Sequence, residues 1–322
     1  MRRLLVRARC RWPGAWIHAP FLFTYWAALM AAVGRLRIDH LLAAAAAHCL
    51  GFASAATARF LRAFFGYALV GLSYDASRFI ERLGLSPDRV LLCNLRRAEL
   101  AVFGVPVSGR TETLQDLFLR HHSPAADLFF SLPYGLYLLI AALFAVWLFR
   151  RDEHAAARYC WAFLFMNLMG FATYHILPAA PPWYFHAHGC AVDLAAPTSE
   201  GPALARVDAM LGVRFFYGLY GRASEVFGAI PSLHAAYPLL LAIEGYRWMG
   251  RAGRALAIVY IAWMAAAAVY LDHHWIIDLA AGWLTCAVAT FLVRRWIPAH
   301  ARPRSLAQGA GARGVPKRDA AS

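Results

Sequence analysis

GAIPSLHAAYPLLLAIEG, residues Gly228 to Gly245, sets a serine and a histidine, introduced by a proline, at the mouth of a run apolar enough to belong in a membrane. A second stretch repeats the arrangement: VYLDHHWIIDLAAGWL, Val269 to Leu284. Polar groups at the edge of a bilayer cost free energy unless they have partners or a task. The two stretches therefore read as halves of one site.

Bulk composition supplies the setting. The chain has 322 residues, 61% hydrophobic and 16% charged, and its mean hydropathy is +0.48. A soluble domain usually carries about a quarter charged residues. Several apolar runs of about twenty residues favour an integral membrane protein over a soluble helical bundle with a large core. The net charge of +14 would suggest nucleic acid in a soluble protein. Here the arginines gather at the ends of apolar runs, as the positive-inside rule requires, and no aromatic-and-basic nucleic-acid motif accompanies them. The six cysteines form no CxxC, so neither a zinc site nor a thiol-redox framework is expected.

Three regions follow along the chain. Residues 1–40 hold the basic start MRRLLVRARCRW and a first hydrophobic segment, about Gly14 to Gly34, read as an uncleaved anchor or interfacial helix. Residues 41–296 are read as one membrane-embedded domain. Residues 297–322 read as a disordered basic cytoplasmic tail. Within the middle region, Leu41 to Ala58 and the run on to Leu72 fit one long span or two short ones. Ser73 to about Pro124 is assigned to the membrane surface, with YDASRFIERLGL as an amphipathic helix. Spans are expected at Asp127–Phe149, Ala155–Leu177, Phe227–Trp248, Ala255–Leu271 and Trp275–Val293, with a proline-rich loop from Pro178 to about Glu225.

Arginines at 150–151, 247–254 and 294–295 mark one side as cytoplasmic. LPAAPPWY, PSLH and HHWIID then share the opposite face, which the arginine count did not require. The same topology puts Cys93 and Cys190 on the outer side, where they can pair.

The chemistry concentrates in those motifs. His274 and Asp278 are four apart at a helix start and share a face. The carboxylate can fix the imidazole's tautomer and turn its other nitrogen outward as a nucleophile for phosphorus. His234 begins another helix on the same face and can protonate a leaving oxygen. Ser232 and the free N–H groups of that helix start can hold an anionic oxygen. Nothing in this kit needs a metal or cofactor. His273 lacks a carboxylate one turn on and is given a packing or secondary role. His186, His188 and Asp193 make a poor metal set. Trp183 and Tyr184 suit either an interfacial anchor or a substrate-shaping loop. Tyr74, Asp75 and Arg78 could bind a polyol headgroup, and an ordinary surface helix explains them equally.

AIPSLHAAYPLL followed by VYLDHHWIIDLAAGW resembles the second and third signature motifs of the type 2 phosphatidic acid phosphatase superfamily. HILPAAPPWY is similar to the proline-rich segment of that superfamily's inositol phosphorylceramide synthase (inositolphosphotransferase) branch, and YDASRF to its surface segment. The resemblance implies an all-α polytopic membrane protein with a six-helix core bundle; the sequence adds an N-terminal hydrophobic segment and a surface amphipathic helix. It also implies a phosphohistidine on His274, His234 as general acid and Asp278 as orienter. The superfamily's first signature is absent, and Ala268 stands where an arginine usually precedes the nucleophile. Neutralising phosphate would then fall to Arg78, Arg110, Arg206, Arg214 or Arg222. The expectation is a transferase moving a phosphoinositol-like headgroup between membrane lipids, for instance onto ceramide. The alternatives are a phosphatase acting on phosphatidic acid or polyprenyl diphosphate, and a non-catalytic lipid carrier or scaffold. A bacterial inner membrane, with the site facing the periplasm, is the expected location.

Overall fold

The computed structural model describes residues 16, 18–80, 83–221 and 226–297. Helices α1 (Ala19–Ala32) and α2 (Ile38–Ala53) form a hairpin ahead of α3 (Ala55–Ser77). A surface segment follows, with α4 (Cys93–Phe103), the antiparallel pair β1 (Val105–Val107) and β2 (Arg110–Glu112), and α5 (Leu114–Arg120). Then come α6 (Pro124–Phe149) and α7 (Glu153–Ile176), and three short helices, α8 (Pro182–His188), α9 (Gly201–Leu211) and α10 (Phe215–Leu219). The chain closes with α11 (Leu233–Gly245), α12 (Arg251–Tyr270) and α13 (Ile276–Trp296).

The core is a bundle of α3, α6, α7, α11, α12 and α13. Helix α7 runs through its middle and is buried nearly all round, through Ala155, Ala156, Tyr159, Cys160, Phe163 and Met166 among others. That is the pattern of a helix surrounded by other helices. Helices α6, α12 and α13 are each long and apolar enough to cross a membrane. Local chemistry sets their limits. Ser123 caps α6 by accepting from Ala126 N, with Pro124 in the first turn. Asp152 caps α7 through His154 N and Ala155 N, and Arg150 and Arg151 end the preceding span.

The arginine-rich end is locked by buried charge. Glu244 at the end of α11 accepts from Arg158 Nε of α7 at 2.6 Å and from Arg294 Nε of α13 at 3.0 Å. Arg59 of α3 meets Glu153 at the same end, at 2.9 Å. At the opposite end Arg206 of α9 holds Asp127 of α6 through bonds of 2.7 and 2.8 Å, and Tyr270 adds a third of 2.8 Å.

Several expectations change. The hydrophobic N-terminus is a two-helix hairpin, and the run from Leu41 to Leu72 divides at Ser54, whose hydroxyl caps α3. YDASRF does not begin a separate surface helix: Tyr74 to Ser77 are the last turn of α3. The reason is Asp75, which is buried and accepts from Arg37 at 2.8 Å, His40 at 3.0 Å and Trp26 at 3.1 Å. The amphipathic surface helix is α4, which buries Leu95 and Glu99. The span expected from Phe227 yields helix only from Leu233, 13 residues or about 20 Å. Residues before it are extended because Ala179 N donates to Phe227 O and Ala229 N donates to Ala179 O. Cys93 and Cys190 form a disulfide, with Cα atoms 5.6 Å apart, that ties α4 to the loop after α8. The basic start MRRLLVRARCRW and the tail beyond 297 lie outside the described residues.

Replacing Glu244 with Ala would leave Arg158, nine-tenths buried, without its counter-charge. Breaking one side of such a pair costs about 3–5 kcal/mol. Thermal unfolding in detergent should show a correspondingly large drop for Glu244→Ala; an unchanged melting temperature would contradict the lock.

Candidate active site

The loop between α12 and α13 turns sharply. His273 N and His274 N both donate to Ala268 O at 3.1 Å, and Asp272 takes φ 65°, a left-handed conformation that aspartate tolerates better than most residues. The start of α13 is closed by Asp278, whose Oδ2 accepts from Trp275 N at 2.9 Å. His274 Nδ1 faces two acceptors, Ala229 O at 3.1 Å and Asp278 Oδ2 at 3.4 Å. We assign the ring proton to that nitrogen, which leaves the Nε2 lone pair free. Nε2 lies 3.3 Å from Nδ1 of His234.

His234 is fixed by aromatic rings and a phenol. It stacks on Tyr134, centroids 4.3 Å apart, and meets Tyr137 edge-on at 4.9 Å. The Tyr220 hydroxyl donates to Tyr134 O at 2.8 Å and lies 3.2 Å from His234 Nε2. Helix α11 reaches this position because Ser232 N donates to Asp278 O at 2.9 Å. Gly282, one turn beyond Asp278, leaves room for the Ser232 carbonyl, where any Cβ would collide.

A second layer steadies α13. Buried Glu99 of α4 accepts from Ile276 N at 2.8 Å and Ile277 N at 3.3 Å. These are free N–H groups of the first turn, where negative charge is favoured. Burial raises the Glu99 carboxyl above its usual range, while the two N–H donors pull the other way. Gln115 bridges this carboxylate and the carbonyl of His274, at 3.4 and 2.9 Å.

The two imidazoles open onto a cavity of about 460 Å³. Its walls include six tyrosines, Tyr67, Tyr74, Tyr137, Tyr174, Tyr220 and Tyr237. Thr198 and Ser199 lie at its rim, and Val70, Leu138, Phe163 and Phe171 make an apolar side. Among the described residues, no arginine or lysine lines it.

His234, His274 and Asp278 are thus brought together, and Tyr74 and Trp183 line the cavity. The other expected ligands are placed elsewhere. Ser232 is fully buried and its hydroxyl caps α11 through Ala235 N rather than facing the cavity. Tyr184 is buried under the loop, its hydroxyl engaged by the backbone of Asp193. Asp75 serves the N-terminal hairpin, and Arg78 lies with Arg35 and Arg37 around a separate hollow. Arg206 is held by Asp127, Arg214 lies over the Tyr217 ring at 4.0 Å, and Arg110 sits on β2; Arg222 lies outside the described residues. His273 bonds Glu200 O at 2.7 Å. His186 is bound by Asp116 and Asp272, and His188 packs on Tyr184, so neither is gathered with Asp193.

Sequence reasoning missed Tyr220, Glu99, Gln115 and Gly282. Only Gly282 left a local signal, a small residue on the Asp278 face one turn later.

Paired imidazoles backed by a carboxylate, at the lip of a helical membrane bundle, define an integral-membrane enzyme of lipid phosphate esters. The chain belongs to the PAP2 superfamily, whose profile matches residues 109–292, and within it to the inositol phosphorylceramide synthase branch. It is 38% identical over 269 residues to the phosphoinositol dihydroceramide synthase of Bacteroides thetaiotaomicron, covering 82% of this chain and 86% of that one. It is 30% identical over 176 residues to the inositol phosphorylceramide synthase catalytic subunit of Saccharomyces cerevisiae, covering 53% of this chain and 43% of that one. With the synthase of Candida albicans it is 30% identical over 175 residues, 53% of this chain and 37% of that one. No solved structure gives a significant match.

Gly282→Ala should force α11 away from α13 and move His234 relative to His274. A displacement of about 1 Å can cost ~100-fold in turnover. We expect a loss of that order with normal membrane insertion, read as lipid turnover per amount of inserted protein; full activity would mean that the close approach does not set the ring geometry.

Proposed function

We propose that the chain transfers a phosphoinositol-like headgroup from a glycerophospholipid to the hydroxyl of a ceramide-like lipid, through a phosphohistidine on His274. The observation that carries this reading is the 3.3 Å contact between His274 Nε2 and His234 Nδ1, open to a tyrosine-lined cavity. His274 Nε2 attacks phosphorus. The bond from phosphorus to the diacylglycerol oxygen breaks, and His234 gives that oxygen its proton. The lipid alcohol enters next and His234, now neutral, takes its proton. The alcohol oxygen attacks phosphorus, the P–N bond breaks and His274 is restored. Substrate must replace the contact between the rings, so the scissile oxygen comes to lie beside His234 Nδ1.

Two observations support a phosphodiester donor. A phosphodiester carries one negative charge and a phosphomonoester close to two. Among the described residues, the cavity offers hydroxyls, ring N–H groups and no arginine or lysine, which suits the smaller charge. The relatives named as phosphoinositol dihydroceramide and inositol phosphorylceramide synthases point to the same headgroup and acceptor. The apolar side of the cavity fits the acceptor's chain. The disulfide between Cys93 and Cys190, on the catalytic side, favours an oxidising compartment, and with the arginines at the other end it supports a periplasmic site in an inner membrane. We assign the catalytic domain to residues 41–296, with 1–40 and 297–322 as flanking segments.

Purified protein in liposomes containing phosphatidylinositol and ceramide should form phosphoinositol-ceramide and diacylglycerol in equal amounts, read by mass spectrometry. His274→Ala should lower this by at least ~10³-fold and His234→Ala by about 10²–10⁴-fold. Release of inorganic phosphate from phosphatidic acid in place of transfer would replace this reading with a phosphatase. Retained function in His274→Ala would point to a carrier.

A further inference from the structure

Helix α8 carries a histidine that the phosphotransfer steps do not use. His186 lies between two carboxylates: Nδ1 is 2.8 Å from Asp272 Oδ2, and Nε2 is 2.9 Å from Asp116 Oδ1. A neutral imidazole has one N–H, and an ionised carboxylate only accepts. Hydrogen bonds from both nitrogens to ionised carboxylates therefore call for the imidazolium. Asp116 is anchored in turn by Arg96 through two parallel bonds of 3.1 and 2.9 Å, and by Thr113 N at 2.9 Å. Arg96 also lies over the Phe185 ring at 4.2 Å. The four side chains alternate in sign, Arg96–Asp116–His186–Asp272, and their charges cancel with His186 protonated and both carboxylates ionised.

The inner end of this chain is the catalytic turn. Asp272 immediately precedes His273 and His274, is 1% exposed, and holds the left-handed φ noted above. Helix α8 grips it twice, through the His186 ring and through Trp183 N, which donates to Asp272 O at 2.9 Å. The other carboxylate oxygen, Oδ1, is buried without a hydrogen-bond partner among the described residues. His186 thus supplies the hydrogen bond that this buried carboxylate receives from a side chain. We infer that His186 is a positioning residue: as a charged bridge from Asp116 to Asp272, it fixes the turn that aims His274 at phosphorus.

The charged groups facing His186 are Asp116 from α5, Asp272 from the turn and Arg96 from α4. Burial works against the imidazolium, but the hydrogen bonds and charges of Asp116 and Asp272 outweigh it and raise its pKa from 6.5 to about 9. Burial likewise opposes ionisation of Asp116, and His186 and Arg96 overcome it, holding that carboxyl well below its usual range. Because the folded pKa of His186 is raised, the bridge is intact through neutral pH and is lost as pH rises through about 9.

The kinetic arm of the test rests on the phosphotransfer reading; a spectroscopic arm does not. His186→Gln keeps the length and one N–H donor but loses the charge. In liposomes, kcat for headgroup transfer should fall about 10–100-fold, with KM changed less than about threefold and the amount of folded protein unaltered. The wild type should lose kcat with a midpoint near pH 9, and that limb should be missing in His186→Gln. Asp272→Asn, which tolerates the left-handed backbone, should move the limb down towards about pH 7–8 and decides the matter if His186→Gln does not fold. In spectra of protein with ¹⁵N-labelled histidine, one imidazolium should persist to about pH 9 and vanish with His186→Gln. Unchanged kcat in His186→Gln, an unmoved alkaline limb in Asp272→Asn, or no persistent imidazolium would each overturn the inference. A wild type that shows the imidazolium yet transfers no headgroup would instead sink the phosphotransfer reading and leave the charged bridge in place.

Discussion

The site depends on one backbone hydrogen bond, Ser232 N to Asp278 O, which joins the starts of α11 and α13. It joins the start of a short helix to the first turn of a long one. His234 follows Ser232 by two residues and His274 precedes Asp278 by four, so the bond sets the distance between the rings. Both helices end in Glu244 and Arg294 at the far side of the bundle, where those side chains meet at 3.0 Å. The pair is therefore pinned at both ends. Relative sliding of one helix along the other would break a buried ion pair and a buried backbone bond together.

The two ends solve different problems. At the arginine-rich end a buried carboxylate is paired twice, Glu244 lying between Arg158 and Arg294. At the catalytic end the network is larger, and some of its capacity is left open. Asp278 Oδ1 and Asp272 Oδ1 have no hydrogen-bond partner among the described residues although both are buried. Such groups cost free energy, and they flank the one histidine whose lone pair must stay available. The helix start beneath them offsets part of that cost, since Glu99 and Asp278 both sit where the dipole favours negative charge.

How far the sequence could be read follows from the range of each interaction. The bundle and the pairing of PSLH with HHWIID were legible because hydropathy and an i, i+4 spacing are local patterns. Ser232 was misread for the same reason. The local pattern shows a hydroxyl at a helix start, and both a cap and an anion ligand satisfy it; burial decides for the cap. Asp75 could not be separated from a headgroup ligand because its partners, Arg37 and His40, lie 38 and 35 positions away. His186 looked like a stray HxH because Asp116 and Asp272 are 70 and 86 positions distant. The extended residues ahead of Leu233 were lost in an apolar run, since their pairing with Ala179 leaves no trace in composition.

The geometry of the two rings also bears on how one acid can serve both halves of a transfer. With Nδ1–H of His274 directed at Ala229 O and Asp278, its Nε2 can only accept, so the 3.3 Å contact forms when His234 carries a proton on Nδ1. Tyr220 accommodates His234 with or without a second ring proton, because a phenol hydroxyl both accepts and donates. It can accept from Nε2–H while donating to Tyr134 O, or turn its own proton to Nε2. In the proposed mechanism the proton exchanged with lipid sits on Nδ1, so Tyr220 can go on accepting from Nε2–H through both halves of the transfer. Stacking on Tyr134 holds the ring still meanwhile. In the proposed mechanism the covalent intermediate between those steps must avoid water. A lipid alcohol, unlike water, brings apolar surface to bury against Phe163, Phe171 and Leu138. In the proposed transfer, that burial favours a hydroxyl attached to a chain over a water molecule as the second nucleophile.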